Sequence, residues 1–211
     1  MKCFKFLLAV STLGLFSQFA SAGWLFQPSI GYNSGTYDWK AKEATLATGT
    51  DNQKGTTTGA GLGMLIGYHW AMPYIGIDLG YASLADKNDS TNAAGTITSL
   101  TNTDAYIYTG LKFGMDFNAR WGAYLGAGSF SSTYSSTSAG VAYDAKLTGT
   151  AMKVGGTFAF NPKFRLYVDY TVLTPVSSAV TSLSVTTTTT LADNYSSLAM
   201  SSLGLGVSYT F

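Results

Sequence analysis

The chain has 211 residues, of which 11% are charged and 14% aromatic, and its formal net charge is +1. That charge content is under half of the roughly 25% usual in a soluble domain, and the near balance of signs leaves no basic footprint for nucleic acid. A single cysteine, Cys3, excludes an intrachain disulfide and a thiolate metal centre.

In chain order the first element is MKCFKFLLAVSTLGLFSQFASA, residues 1–22. Lys2 and Lys5 make a positive start, Phe6 to Phe16 an apolar stretch, and Ala20-Ser21-Ala22 a small-residue cleavage site. This is the three-part layout of a secretory signal peptide. The expected division is therefore a signal peptide over 1–22 and a single domain over 23–211. Cys3 lies ahead of the apolar stretch, so it is not placed as the lipid-bearing cysteine of a lipoprotein. Loss of Lys2 and Lys5 leaves the acids one ahead of the bases. Beyond Ala22 no apolar run approaches the ~18 residues of a spanning helix. A chain that is exported, poor in charge and rich in aromatics fits a membrane crossed by strands.

Eight stretches with a period of two follow. The first, Trp24 to Trp39, sets Trp24, Phe26, Ile30 and Tyr32 against Gln27, Ser29 and Asn33. The second, Thr58 to His69, alternates Leu62, Met64, Ile66 and Tyr68 with glycines. The third is Tyr74 to Ser83, and the fourth Thr103 to Phe117. The fifth, Trp121 to Ser131, contains WGAYLGAG; the sixth is Ala142 to Phe160 and the seventh Phe164 to Val172. The eighth, Tyr195 to Phe211, ends the chain on LGLGVSYTF, with Leu203, Leu205, Val207, Tyr209 and Phe211 on one face.

Connections alternate in length. Trp70–Pro73, Asn118–Arg120 and Asn161–Lys163 are short, whereas Lys40–Thr57, Ala82–Asn102, Ser132–Val141 and Leu173–Asn194 are long. The prediction is an all-β, eight-stranded antiparallel up-and-down transmembrane barrel with short periplasmic turns and long extracellular loops. Three-residue turns at Asn118 and Asn161 pair Phe117 with Trp121 and Phe160 with Phe164, placing aromatic pairs at the periplasmic interface.

Eight strands enclose a lumen that side chains can fill. Tyr106, Tyr108, Tyr124 and Tyr167 point inward, next to glycines that leave them room. Asp78, Asp104, Lys112, Lys153, Arg165 and Asp169 form the expected lumen charge network, joined by Asp116. The register predicts cross-strand pairs Lys153–Asp169 and Asp78–Lys112. Charges in such a place are paired or hydrated, and a network that closes the lumen is favoured over an ion path.

Enzymatic chemistry has little to stand on. The only histidine, His69, sits at the turn end of the second strand, beside Trp70 and Pro73, and reads as a hydrogen-bonding rim residue. Asp104 and the loop acids look too dispersed for a carboxylate pair. A lone histidine with scattered aspartates lacks metal-ligand spacing. Asp86-Lys87-Asn88-Asp89 lacks the glycine and closing glutamate of a calcium loop and reads as solvated loop. No catalytic, cofactor or metal site is expected. The outer stretches are rich in Thr, Ser, Ala, Gly and Asn, and the threonines at 186–190 could let strands extend outside the membrane as paired ribbons.

The AxA signal, eight alternating strands, WGAYLGAG and the terminal LGLGVSYTF together resemble the small outer-membrane barrels of the OmpA transmembrane-domain and OmpX type. The resemblance implies the outer membrane of a Gram-negative bacterium, with outer-membrane lipid and lipopolysaccharide as surroundings. It further implies that Leu205, Val207, Tyr209 and Phe211 carry the signal read by the barrel-assembly machinery. OmpA-like proteins often add a peptidoglycan-binding domain, which is not expected after Phe211. The expected function is a structural barrel, largely filled inside, whose outward loops are available to a surface partner of unknown kind. The alternative is a narrow porin-like channel or an OmpW-like conduit for small molecules.

Overall fold

The computed structural model describes residues 23–42, 52–70, 72–91, 93–95, 97–138, 141–182, 185–190 and 195–211. They form nine strands: β1 (Gly23–Ala41), β2 (Asn52–His69), β3 (Pro73–Thr91), β4 (Ile97–Asp116), β5 (Trp121–Ser138), β6 (Val141–Ala159), β7 (Phe164–Ser182), β8 (Val185–Thr190) and β9 (Tyr195–Tyr209). Each barrel strand pairs antiparallel with its neighbours, and the β7–β9 and β9–β1 ladders close the sheet on itself. Eight strands make the barrel. Among the described residues the short β8 pairs only with β7.

The period of two sorts the side chains as predicted. Outward positions carry large apolar groups that stand half exposed, among them Ile30, Leu62, Ile77, Leu111, Leu125, Val168 and Leu205. A continuous exposed apolar surface of this kind is a lipid-facing band. At its turn end lies an aromatic girdle: Trp121 packs tilted against Phe158 at 4.7 Å, and Phe164 meets Tyr209 at 4.9 Å and Tyr209 meets Phe211 at 4.7 Å, both edge to face. Rings with an apolar body and a polar edge favour that depth.

Both aromatic turn pairs are present, with Phe117 N–H donating to Trp121 O at 2.9 Å and Phe160 N–H to Phe164 O at 3.0 Å. Asn118 and Asn161 hold these turns. Each Oδ1 accepts two backbone N–H groups at 2.8–2.9 Å, from Arg120 and Trp121 and from Lys163 and Phe164 respectively. An asparagine that bonds its own following backbone is a turn device.

The outer ends differ from expectation. The stretch Ala82–Asn102 is mostly ladder, and Asp86–Asp89 lies inside β3, not in a solvated loop. β7 runs ten residues past Val172 and folds back through β8, giving the paired threonine ribbon. Above the membrane the outward face meets water, so both faces read as polar and the apolar alternation that marks a strand fades while pairing continues. Pro175, a strand breaker by propensity, is accommodated by a bulge: Thr148 faces Ser177 whereas Gly149 faces Pro175. The proposed signal peptide and the loop segments 43–51, 139–140 and 191–194 lie outside the described residues.

A strand rises about 3.3 Å per residue and a barrel tilt near 40° reduces this to roughly 2.5 Å along the axis. The 19 residues of β3 then span about 48 Å against an apolar band of about 25 Å. Paired strand therefore stands about 20 Å above the membrane.

Candidate functional site

The lumen has a floor, a middle and a mouth. At the floor Asp116, from the end of β4, reaches across to Arg165 at the start of β7 and accepts two guanidinium N–H groups at 2.5 and 2.7 Å. His69, from the end of β2, brings Nε2 to 3.4 Å from Asp116 Oδ2, and its ring stacks on Tyr74. One carboxylate thereby ties together three strands that do not neighbour one another. Beside it Gln27 donates to Ser208 at 2.9 Å.

In the middle Lys153 Nζ donates to Asp78 Oδ2 at 2.9 Å. The same ammonium stands 4.4 Å above the Tyr108 ring, and Lys112 Nζ stands 3.8 Å above Tyr124. Tyr124 donates its hydroxyl to Asp169 at 2.9 Å. Two lysines, two tyrosines and two aspartates thus neutralise one another across the bore. Both lysines use an aromatic face, which is worth more where water is scarce.

The rings are seated by glycine. Tyr37 lies opposite Gly55, Tyr74 opposite Gly114, Tyr124 and Phe130 opposite Gly155 and Gly149, and Tyr167 opposite Gly206. A Cβ at any of these glycines would collide with the facing ring. Among the described residues a cavity of about 110 Å³ is left between these groups, bounded on one side by Ser29, Asn33, Gly61 and Ser202 and reaching up to Leu173 and Met200. That space admits a few waters.

The mouth is built differently. Asp86 accepts the Tyr37 hydroxyl on both oxygens at 3.0 and 3.2 Å. Asp104 pairs with Leu84, and Asp86 with Asn102, so the two acids are diagonal neighbours on β3 and β4. Asp104 Oδ1 is buried without a hydrogen-bond partner. Below them Tyr108, Phe130, Ala151 and Leu173 pack together, with Tyr106 and Met200 against them.

All six predicted network residues line the interior, but the predicted partners do not hold. Lys153 takes Asp78, not Asp169, and no ion pair joins Lys112 to Asp78 among the described residues. Register reasoning sees only neighbours along the wall, whereas a lysine is long enough to cross so narrow a bore from β6 to β3. Asp169 is already engaged by Tyr124. Arg165 finds Asp116, a pair that needed the same cross-lumen view. Nor are the acids dispersed: Asp86, hidden in what reads as a loop, comes beside Asp104.

Asp104 lies twelve residues above the periplasmic end of β4, about 30 Å up and beyond the apolar outward positions that end at Ile107 and Tyr81. Burial, reinforced by the Asp86 charge and opposed by a bond from Ser132, pushes its carboxyl up to about 7; burial also raises Asp86. The folded barrel then holds this proton more tightly than the unfolded chain, so stability falls as pH rises from about 4 through about 7. Asp104→Asn should flatten that slope. Midpoints of thermal unfolding at pH 5 and pH 8 will differ in the native protein and converge in the variant.

A family model described as outer membrane protein beta-barrel domain matches residues 6–211. Among solved structures, the chain is similar to Ail, the attachment invasion locus protein of Yersinia pestis. Identity is 14%, covering 90% of this chain and 99% of that one, with a TM-score of 0.53. It is also similar to the outer membrane protein OprG from Pseudomonas aeruginosa, at 13% identity over 90% of this chain and 97% of that one, with a TM-score of 0.58. Likeness at such identity speaks for the fold alone. No curated protein matches the chain.

Proposed function

The chain belongs to the outer membrane protein beta-barrel domain family, and from that premise we propose a structural outer-membrane barrel, closed to ions at rest, that carries a stiff crown of paired strands for surface contacts. The observation behind this reading is the Lys153–Asp78 bridge across the bore, flanked by Tyr108 and Tyr124 and backed by the Arg165–Asp116 floor. An ion would have to displace side chains that are already mutually neutralised. The crown supports the second half: ladders that continue about 20 Å past the membrane hold their shape as loose loops do not.

The reading is non-enzymatic, since the floor groups around His69 present no nucleophile beside a base. Lipopolysaccharide is the proposed environment of the crown, and the assembly machinery the proposed reader of Leu205, Val207, Tyr209 and Phe211. Single-channel recording in planar bilayers tests closure. The native barrel should give no steady openings, and the double change Tyr108→Ala, Tyr124→Ala should create them. Steady channels of defined size in the native protein would favour the narrow-pore alternative and overturn the proposal.

A further inference from the structure

The barrel wall is shortest at one seam, where β7 meets β9; the β4–β5 and β1–β9 ladders, at thirteen rungs each, come next. β7 and β9 pair from Phe164–Tyr209 only as far as Leu173–Met200, ten rungs where β3 and β4 make nineteen. Above that point β7 continues with β8 while β9 continues along β1 up to Ala41–Tyr195. The two edges part, and among the described residues no strand fills the space between Thr174–Val176 and Leu198–Ala199. The slit opens at the top of the apolar band, where Val172 and Val176 stand half exposed.

Its two sides complement each other. Inside is the apolar mouth cluster of Tyr106, Phe130, Leu173 and Met200. Outside is a trough of about 850 Å³. Near the slit it is lined by Tyr170, Val172 and Ala199, and at its far end by Asp38, Lys54, Lys87 and Asp89 on the outward faces of β1 to β3. Leu173, Met200 and Ser201 line both spaces, so the last rungs of the seam stand between them. The charged end is a row of alternating sign: Asp38 faces Lys54, Lys54 faces Asp89, and Lys87 stands diagonal to it.

We propose that this seam binds a zwitterionic amphiphile, its phosphate at Lys54 and Lys87, its ammonium toward Asp38, and its alkyl chain passing Leu173 and Met200 into the mouth. Alternating charge favours a head bearing both signs over a bare carboxylate, and an unbranched chain fits a slit between two strand edges. Methionine, unbranched and soft, is suited to a movable shutter. The site is separate from the bore below it and does not depend on whether that bore conducts.

Photolabelling tests the assignment. The full barrel in phosphatidylcholine vesicles is exposed to lysophosphatidylethanolamine carrying a diazirine near the end of its chain, then digested and mapped by mass spectrometry. Label is expected on Leu173, Met200 and Phe130, competed by unlabelled lysophosphatidylethanolamine and not by palmitate. The double change Lys54→Gln, Lys87→Gln should reduce it at least fivefold, and Met200→Trp should abolish labelling of Phe130 while leaving Leu203 on the lipid face unchanged. A parallel arm with diazirine-bearing two-chain phosphatidylethanolamine in the vesicle separates a bilayer lipid from a free amphiphile as the source. Heat-dependent gel mobility shows that each variant is folded. Label spread evenly around the lipid belt, equal competition by palmitate, or indifference to both variants would overturn the proposal.

Discussion

Replacing Asp116 with alanine is expected to destabilise the barrel by about 3 kcal/mol, the lower end of what breaking a buried pair costs. The side chains of Asp116 and Arg165 are 12% and 21% exposed, so the pair is neither fully dry nor a surface pair worth under about 1 kcal/mol. Without the carboxylate, a guanidinium stays in a low-dielectric floor with two N–H donors unmatched. The measurement is urea unfolding in lipid vesicles followed by tryptophan fluorescence. Adding Arg165→Met to Asp116→Ala should recover at least half of the loss, because the damage lies in the orphaned charge. A loss under about 1 kcal/mol, or no recovery, would show that the floor is solvated and does not close the bore.

Gly155→Val should have an effect of similar size for a different reason. Gly155 faces Tyr124 across the β5–β6 ladder, and a Cβ there runs into the ring. Overpacking alone costs about 1–3 kcal/mol. Here the ring cannot move without giving up its bond to Asp169 and its face toward Lys112, which adds about another 1 kcal/mol for the bond. A fall of about 3 kcal/mol in the same unfolding assay is expected, and Tyr124→Ala in the same chain should relieve the strain. If valine is tolerated within about 0.5 kcal/mol, the lumen is looser than its geometry implies.

How much of this was legible beforehand depends on where water lies. Within the apolar band one face meets lipid and the other the bore, so the contrast at positions such as Leu125 and Gly126 is strong. The barrel, the strand order, the turns at Asn118 and Asn161 and the lipid-facing LGLGVSYTF face are all readable from it. Higher up, Asp86 and Lys87 are both polar although one points in and the other out, and the strand disappears from view. Site residues were identifiable as inward-facing because parity is local. Their partners were not, because Lys153 and Asp78 are far apart in sequence, sit on non-adjacent strands, and meet only once the sheet has closed. The β7–β9 seam was likewise hidden, since it depends on where a ladder stops.

The glycine seats have a bearing on how the barrel is made. Tyr37 leans on β2 from β1, Tyr74 on β4 from β3, Tyr124 and Phe130 on β6 from β5, and Tyr167 on β9 from β7. In these five cases ring and seat belong to the two strands of one outward-pointing hairpin and the ring leans toward the strand made later, whereas Tyr108 lies over Gly110 of its own strand. Each hairpin therefore carries its own share of the filling and can pack it before the cylinder is complete. Closure then needs only the long-range charges to find one another across a bore already furnished. Newly made chain can hand over four prefilled staves in order, with the ion pairs acting as the final clasp.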